Sequence, residues 1–121
     1  MQYTVKINII ITATDLINGE KYILSTSPDT LVLPTYELSE PDTIDGVVEH
    51  LCQECVHLDV LWMKPRCVSV VKDDDSKCLY VNYVSVVPLD TKLLNNTAFI
   101  SLQATPTDVH ITEAISQYEI I

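Results

Sequence analysis

Two histidines and a glutamate in the middle of the chain have residue types and a spacing that could form a transition-metal site. His50, Glu54 and His57 lie at positions i, i+4 and i+7, so one face of a helix could present all three. Imidazole and carboxylate groups are common ligands of zinc, but the ion requires strict distances. Ligands spread over two helical turns rarely converge on one ion. We therefore interpret these side chains as a solvated polar face and expect no metal site.

Two cysteines separated by two residues, Cys52 and Cys55, have the spacing of half a redox or zinc site. Cys67 and Cys78 occur singly in later segments, so the sequence supplies no second pair at that spacing. Cys52 and Cys55 both fall on the apolar positions of a helical pattern, and a buried cysteine usually behaves as a small hydrophobic residue. We expect both thiols to be packed in the core, reduced and without metal.

The composition indicates one globular domain covering residues 1–121. Hydrophobic residues make up 47% of the chain and charged residues 20%, which is typical of folded domains rather than disordered ones. Gly19 and Gly46 are the only glycines, so a glycine-rich phosphate loop cannot be built. The apolar run 9–11 is too short for a signal peptide or a membrane span. We expect a cytoplasmic or otherwise intracellular protein without a membrane partner.

Seventeen acidic residues and seven basic ones give a formal net charge of −10. Such a surface repels phosphate backbones, which argues against a nucleic-acid partner. We interpret the charge mainly as a source of solubility. An acidic face that docks onto a basic protein is the alternative.

One segment brings aromatic and basic residues together, because Trp62 lies close to Lys64 and Arg66 in the chain. Tryptophan and arginine are frequent anchors at interfaces, so this segment could stack on a base or bind a partner. An aromatic residue at the start of a strand more often has one face in the core. We favour the core interpretation and retain Trp62, Lys64 and Arg66 as candidate partner-binding residues.

Apolar and β-branched runs predict several strands. They cover Tyr3–Thr12, Lys21–Ser25, Leu31–Leu33, Val60–Lys72, Lys77–Pro88 and Ala98–Gln103. Asn18-Gly19 predicts a tight hairpin turn between the first two strands, and Pro34 is expected to terminate the third. The acidic run 73–75 is expected at the solvated tip of a hairpin formed by the two long strands.

Two amphipathic helices complete the prediction. Asp42 or Thr43 caps the first, because a short side-chain oxygen can accept the free amide hydrogens of the first turn. Thr107 or Asp108 caps the second. The apolar stripe of the first helix comprises Ile44, Val47, Val48, Leu51, Cys52 and Cys55. The order strands, helix, strands, helix indicates an α+β or mixed α/β fold.

That order resembles the Nudix hydrolase superfamily, whose fold is a mixed β-sheet sandwiched between two helices. The family signature reads G-x5-E-x7-R-E-U-x-E-E-x-G-U, where U is a bulky aliphatic residue, and a Leu-Pro-Gly-Gly type sequence usually precedes it. Leu33-Pro34 matches the strand end, but Thr35 and Tyr36 replace the glycines. The loop glutamate falls near Asp42. The segment 47–51, Val-Val-Glu-His-Leu, aligns with the apolar pair, Arg-Glu and the aliphatic residue.

On this register the resemblance implies a degenerate Nudix box. His50, Gln53 and Glu54 take the places of the glutamates that hold divalent cations against a diphosphate, and only one of the three is a carboxylate. Magnesium requires oxygen ligands in near-octahedral geometry, and imidazole suits zinc or nickel better. The resemblance therefore implies a Nudix-like fold with no catalytic residue and no cofactor. We expect a protein-interaction or structural subunit of a larger assembly, with a viral source as a further hypothesis.

Two alternatives stay open. The first is a divergent Mg²⁺-dependent Nudix hydrolase that cleaves a nucleoside diphosphate derivative and recruits carboxylates from elsewhere. Its ligands would be Glu54, His50 and Asp42, and Glu37 and Glu40 are further candidates. The second alternative is another small α+β binding domain whose likeness to the Nudix family is accidental.

Overall fold

One mixed sheet organises the part of the chain that the computed structural model describes, residues 2–120. Its strands are β1 (Thr4–Thr14), β2 (Lys21–Ser25), β3 (Thr35–Glu37), β4 (Arg66–Asp73), β5 (Cys78–Val86) and β6 (Ala98–Ser101). The helices are α1 (Ile44–Cys55), α2 (Val60–Met63) and α3 (Val109–Ile120).

The strand β1 is the centre of the sheet, whose order is β4-β5-β1-β2-β6. It pairs in parallel with β5 from Thr4 to Thr12, and its other edge is shared by two antiparallel partners. The strand β3 pairs with the first half of β1 through residues 6–8, and β2 pairs with its end through residues 12–14. The isoleucines of β1 are buried on both faces because helices pack on both sides of the sheet.

The two longer helices cover opposite faces of the sheet. Successive side chains of a strand point to opposite sides, and β1 divides its isoleucines accordingly. Ile7, Ile9 and Ile11 join a core cluster with the buried side of α1. Ile10 belongs to a second cluster with Ala114 and other residues near α3. The predicted mixed sheet between two helices is confirmed.

The helix α1 forms as its sequence predicts. Of the two candidate caps, Thr43 is the one used: its Oγ1 accepts a hydrogen bond from the Gly46 amide at 3.1 Å. The buried residues are Val47, Val48, Leu51, Cys52 and Cys55. Ile44, the first residue of the predicted apolar stripe, is instead exposed and lies outside the core cluster.

The predicted strand from Val60 to Lys72 is wrong in its first part, where the chain forms α2. The Asp59 side chain caps this turn by accepting a hydrogen bond from the Leu61 amide at 2.9 Å. Lys64 then adopts the left-handed conformation with φ of 48°, which ends the turn before β4 begins at Arg66. A local cap therefore outweighs the strand preference of the apolar run 60–63.

The predicted strand Leu31–Leu33 is also wrong. The side chain of Ser25 accepts a hydrogen bond from the Val32 amide at 2.9 Å and donates one to the Thr30 carbonyl at 2.8 Å. These bonds hold the segment as a loop, because a side chain takes the place of a neighbouring strand. The strand β3 starts only after Pro34.

Most of the remaining predictions agree with the structure within a few residues at the ends of elements. The hairpin of β1 and β2 forms, but its loop covers residues 15–20 and is not the tight Asn18-Gly19 turn predicted: Gly19 has φ of +74°, whereas φ of Asn18 is not positive. Asp108 caps α3, since its Oδ1 accepts a hydrogen bond from the His110 amide at 2.7 Å. Within residues 2–120, no helix has the length and apolar character needed to cross a membrane.

Candidate functional site

The outward face of α1 carries the residues that align with the Nudix signature. His50 Nε2 lies 2.9 Å from Glu54 Oε1, and both side chains are more than half exposed. Gln53 Nε2 donates a hydrogen bond to Glu49 Oε1 at 3.4 Å. The carboxylate of Glu54 is therefore engaged by an imidazole, and its neighbours on this face add no further carboxylate beyond Glu49.

His57 does not join the other two members of the predicted histidine-glutamate set. The helix ends at Cys55, and the backbone amide of His57 donates to the Lys92 carbonyl at 2.9 Å. Its side chain lines an open pocket that also contains Asp59 and Leu94. Among residues 2–120, no three histidine, cysteine, aspartate or glutamate side chains are grouped so that they could hold a metal ion.

The carboxylates outside α1 lie near its N-terminal end. Asp42 Oδ2 accepts two hydrogen bonds from Ser39, one from the backbone amide and one from the hydroxyl group, both at 3.0 Å. Asp42 lines an open pocket of about 420 Å³ with Glu37 and Glu40. It also lines a second pocket, of about 260 Å³, together with His50.

Glu54 lines neither of these two pockets. The structure thus connects the three alternative ligands only through His50, which bonds Glu54 on one side and shares a pocket with Asp42 on the other. Such an arrangement lacks the several convergent oxygens that a diphosphate-bound magnesium requires.

Cys52 and Cys55 are buried in the core under α1, as their pattern predicts. Burial raises the pKa of the Cys52 thiol to about 12 and that of Cys55 to about 11. Both thiols are therefore protonated at neutral pH, and a thiolate is the form that binds metal or attacks a disulfide. All four cysteines are free, and Cys67 is exposed.

A larger cavity, of about 580 Å³, lies on the α3 face of the sheet and was not predicted. Asn8, Tyr80 and Asn82 form its polar floor, and apolar side chains complete its walls. Four aspartates and a histidine also line it: Asp73, Asp74, Asp75, Asp108 and His110.

A row of hydrogen bonds crosses four strands beneath this cavity. Thr35 Oγ1 donates to Asn8 Oδ1 at 2.6 Å, and Asn8 Nδ2 donates to Asn82 Oδ1 at 3.0 Å. Asn82 Nδ2 in turn donates to Ser69 Oγ at 3.0 Å. These residues are direct neighbours in the strand register. No local sequence pattern predicts these hydrogen bonds, because the partners are up to 74 positions apart.

The aspartates at the tip of the β4–β5 hairpin are engaged in the fold. The hydroxyl of Tyr3 donates a hydrogen bond to Asp74, which lowers the pKa of that carboxyl together with the nearby Lys72 ammonium group. Hydrogen bonds from Ser76 lower the pKa of Asp73. The predicted acidic tip is confirmed, and these carboxylates stabilise the turn and its contact with the start of the chain.

The segment with Trp62 differs from the favoured prediction. Trp62 and Leu61 are each 77% exposed, while Met63 is the residue of α2 that is buried in the core. The core interpretation of Trp62 is wrong because the segment forms a helical turn whose inward-facing side chain is Met63. Lys64 and Arg66 are exposed as well.

No protein-family model and no curated protein sequence matches this chain, but solved structures do. A MutT/nudix family protein from Listeria innocua superposes with a TM-score of 0.69 and 12% identity, covering 99% of this chain and 94% of that one. The C-terminal domain of mouse MUTYH, in its complex with human PCNA, gives 0.68 and 10% identity over 98% and 89% of the two chains.

A MutT/nudix family protein from Enterococcus faecalis gives a TM-score of 0.61 and 7% identity over 84% of this chain. The match covers 44% of the bacterial protein, so this chain spans less than half of that relative's length. At such identities the likeness concerns the arrangement of strands and helices alone. By that arrangement, this chain has a Nudix-like fold.

Proposed function

We propose that this chain is a non-catalytic Nudix-like domain that serves as a protein-interaction or structural subunit of a larger assembly. One observation carries the proposal. At the three places of α1 where the signature has glutamates, the chain has His50, Gln53 and Glu54, and the single carboxylate is paired with the imidazole at 2.9 Å.

The coordination chemistry of magnesium explains why replacing glutamates by His50 and Gln53 would prevent catalysis. Cleavage of a diphosphate needs one or more hard cations, and each is held by several oxygen ligands in near-octahedral geometry. The amide of Gln53 is a neutral ligand, and the nitrogen of His50 suits softer metals. A helix face with this composition would bind magnesium weakly.

The carboxylates near the start of α1 offer little replacement. Asp42 already accepts two hydrogen bonds from Ser39 within its own turn. Glu37 and Glu40 share a pocket with Asp42 that does not include Glu54. A metal bridging these groups to α1 would require the loop before the helix to rearrange.

The likeness to the MUTYH domain supports the interaction role. The structure of that domain was determined in complex with PCNA, so a domain with this arrangement of elements occurs in an assembly between proteins. In this chain, the exposed apolar residues of α2 are a surface that a partner could cover.

The test is a magnesium titration followed by calorimetry, with and without ADP-ribose, alongside a chromatographic assay for AMP and ribose 5-phosphate, the two products of cleavage of its diphosphate. We expect no heat of binding in the micromolar range and neither product. The matched control is the variant His50→Glu/Gln53→Glu, which restores two carboxylates and should bind magnesium at least about tenfold more tightly. Micromolar binding by the unmodified chain would contradict the proposal.

The second candidate is a divergent magnesium-dependent hydrolase of a nucleoside diphosphate derivative. The shared pocket of Asp42 and His50, with Glu54 bonded to that histidine, favours it. It predicts magnesium-dependent cleavage that is lost in both Glu54→Gln and Asp42→Asn. Cleavage that survives both changes would exclude this set of ligands.

A further inference from the structure

The exposed turn of α2 is held rigidly on the end of the sheet. Asp59 caps it, and the Lys64 amide donates to the Val60 carbonyl at 3.0 Å. Beneath it, the hydroxyl of Ser85 donates to the Met63 carbonyl at 2.7 Å, and the Met63 side chain is buried in the core. Leu61 and Trp62 therefore lie on a backbone that is already ordered. Less conformational entropy of this segment is then lost when a partner binds.

Basic residues follow these two apolar side chains. From residue 60 to residue 72 the chain contains no acidic residue, although it has seventeen elsewhere. Lys64 and Arg66 are exposed, and neither forms an ion pair with any group among residues 2–120. The nearest acid before this segment, Asp59, is engaged as the cap of α2. We refer to Leu61, Trp62, Lys64 and Arg66 together as the α2 patch.

The aspartates at the tip of the β4–β5 hairpin lie far from this patch. The strand β4 runs from Arg66 to that tip. Seven residue steps of about 3.3 Å give a distance of roughly 23 Å along the strand. Exposed charges are largely screened beyond about 8 Å at physiological ionic strength. The tip aspartates therefore add little to the field at the patch, where Lys64 and Arg66 form no ion pair within residues 2–120.

We propose that the α2 patch binds an acidic segment of a partner protein that also carries a large apolar side chain. The apolar residue would pack on Trp62 and Leu61, and its acidic neighbours would pair with Lys64 and Arg66. Tryptophan and arginine are the residue types that most often anchor interfaces. A single-stranded nucleic acid could also stack on Trp62, but it carries a phosphate at every nucleotide, and two cations neutralise few of them.

This inference rests on the proposed interaction role, and a peptide selection tests it. A library of random 12-residue peptides is selected on the unmodified chain and counter-selected on the variant Leu61→Ser/Trp62→Ser. We expect enriched peptides to combine aspartate or glutamate with a large apolar residue. Because Trp62 is the only tryptophan, binding of such a peptide should shift its emission to shorter wavelength.

Two further variants distinguish recognition through charge from nonspecific binding to exposed apolar side chains. Lys64→Glu/Arg66→Glu should weaken binding of a labelled selected peptide at least about tenfold, since like charges then face each other. Leu16→Ser/Ile17→Ser is the matched control: it removes two residues that are 94% and 98% exposed but lie outside the patch. Its affinity for the peptide should stay within about twofold, and thermal melting verifies that each variant folds.

The proposal is overturned if no peptide is enriched over the counter-selected variant, or if the enriched peptides are basic. It is also overturned if a selected peptide binds the unmodified chain and the variant Lys64→Glu/Arg66→Glu with equal affinity. Binding of a twelve-nucleotide oligo-dT that depends on Trp62 would also overturn it, in favour of a nucleic-acid ligand. Failure here is distinct from failure of the proposed function. Micromolar magnesium binding and cleavage of ADP-ribose would contradict the non-catalytic role, whereas a failed selection without them removes only this patch.

Discussion

The helix α1 and the short turn α2 are consecutive in the chain, yet their exposed faces have opposite characters. The outward face of α1 is polar, and its residues pair with one another, as His50 does with Glu54. The outward face of α2 presents Leu61 and Trp62 to solvent beside unpaired cations. The polar groups of α1 therefore bond one another, whereas the exposed apolar side chains lie on the next turn.

The difference indicates where selection for function could act. A polar helix face whose groups bond one another needs no ligand to explain it. An exposed tryptophan on a rigid turn is less easily explained by the fold, because apolar side chains at the surface gain free energy when a partner covers them. The comparison of α1 with α2 therefore favours a partner over a substrate.

Truncation of one large apolar side chain in α1 and one in α2 tests the difference between these elements most directly. Leu51 on the inner face of α1 is buried, whereas Trp62 on α2 is exposed. Leu51→Ala should lower the free energy of unfolding by about 3 kcal/mol, through lost burial and the cavity left behind. Trp62→Ala should change it by less than about 0.5 kcal/mol.

Denaturant unfolding of both variants measures this contrast. A loss for Trp62→Ala as large as that for Leu51→Ala would mean that the tryptophan packs in the core, and the α2 patch would not exist as described.

Cysteine reactivity compares α1 with the start of β4, beside the α2 patch, without any amino-acid substitution. At pH 8, the exposed Cys67 at the start of β4 should react with iodoacetamide at least about 100-fold faster than Cys52 and Cys55 of α1, whose burial both blocks access and favours the thiol. Mass spectrometry of peptides from a timed reaction measures the rates. Equal rates at the three positions would show that α1 opens easily.

The same thiols predict how stability depends on pH. Burial raises the pKa of Cys52 to about 12 and of Cys55 to about 11 in the folded chain, above the ordinary value of 9.0. Their contribution to stability is therefore complete below pH 9 and is lost as the pH rises toward those values. Melting temperature should fall above pH 9, and the fall should be smaller in Cys52→Ala than in the unmodified chain.

Removing the cap of α1 should have a smaller effect than emptying its core. Thr43→Ala deletes the hydroxyl that accepts from the Gly46 amide, and the loss of an N-cap typically costs about 1 kcal/mol. Thr43→Ser retains the oxygen and serves as the control. Chemical denaturation should place Thr43→Ser close to the unmodified chain, and equal losses for both variants would assign the effect to the methyl group.

The corresponding change at α2 should affect stability less than the loss of the α1 cap. Asp59→Ala removes a cap from a four-residue turn that Met63 also anchors, so we expect a loss of about 0.5 kcal/mol. Its effect on the patch should be clearer, because a less ordered turn raises the entropy cost of binding. A fluorescence titration with a selected peptide should show weaker binding, and unchanged affinity would mean that the turn keeps its shape without the cap.

Much of the fold was predictable because its signals are local. The stripe of α1 depends on residues three and four positions apart, and the hairpin of β1 and β2 is indicated by the neighbours Asn18 and Gly19. The prediction failed where short apolar segments had no clear period. Residues 60–63 are compatible with a strand or a helix on pattern alone, and the bonds of Asp59 and Ser85 decide for the helix.

The candidate site divides in the same way. That only Glu54 supplies a carboxylate at the three signature positions follows directly from the order of residues in α1, and so does the spacing that lets His50 bond it. That His50 also shares a pocket with Asp42 follows from the path of the loop before α1, which no local pattern describes.

By itself, the sequence determined the two main helices, most strands, the acidic charge and the single carboxylate among His50, Gln53 and Glu54, because each depends on residue identity or on short-range spacing. Only the tertiary structure decided that Trp62 faces solvent and that Asn8 bonds Asn82 across the sheet. Both outcomes depend on contacts between residues far apart in the chain. Which side of a short turn is buried is set by what the rest of the fold places beneath it.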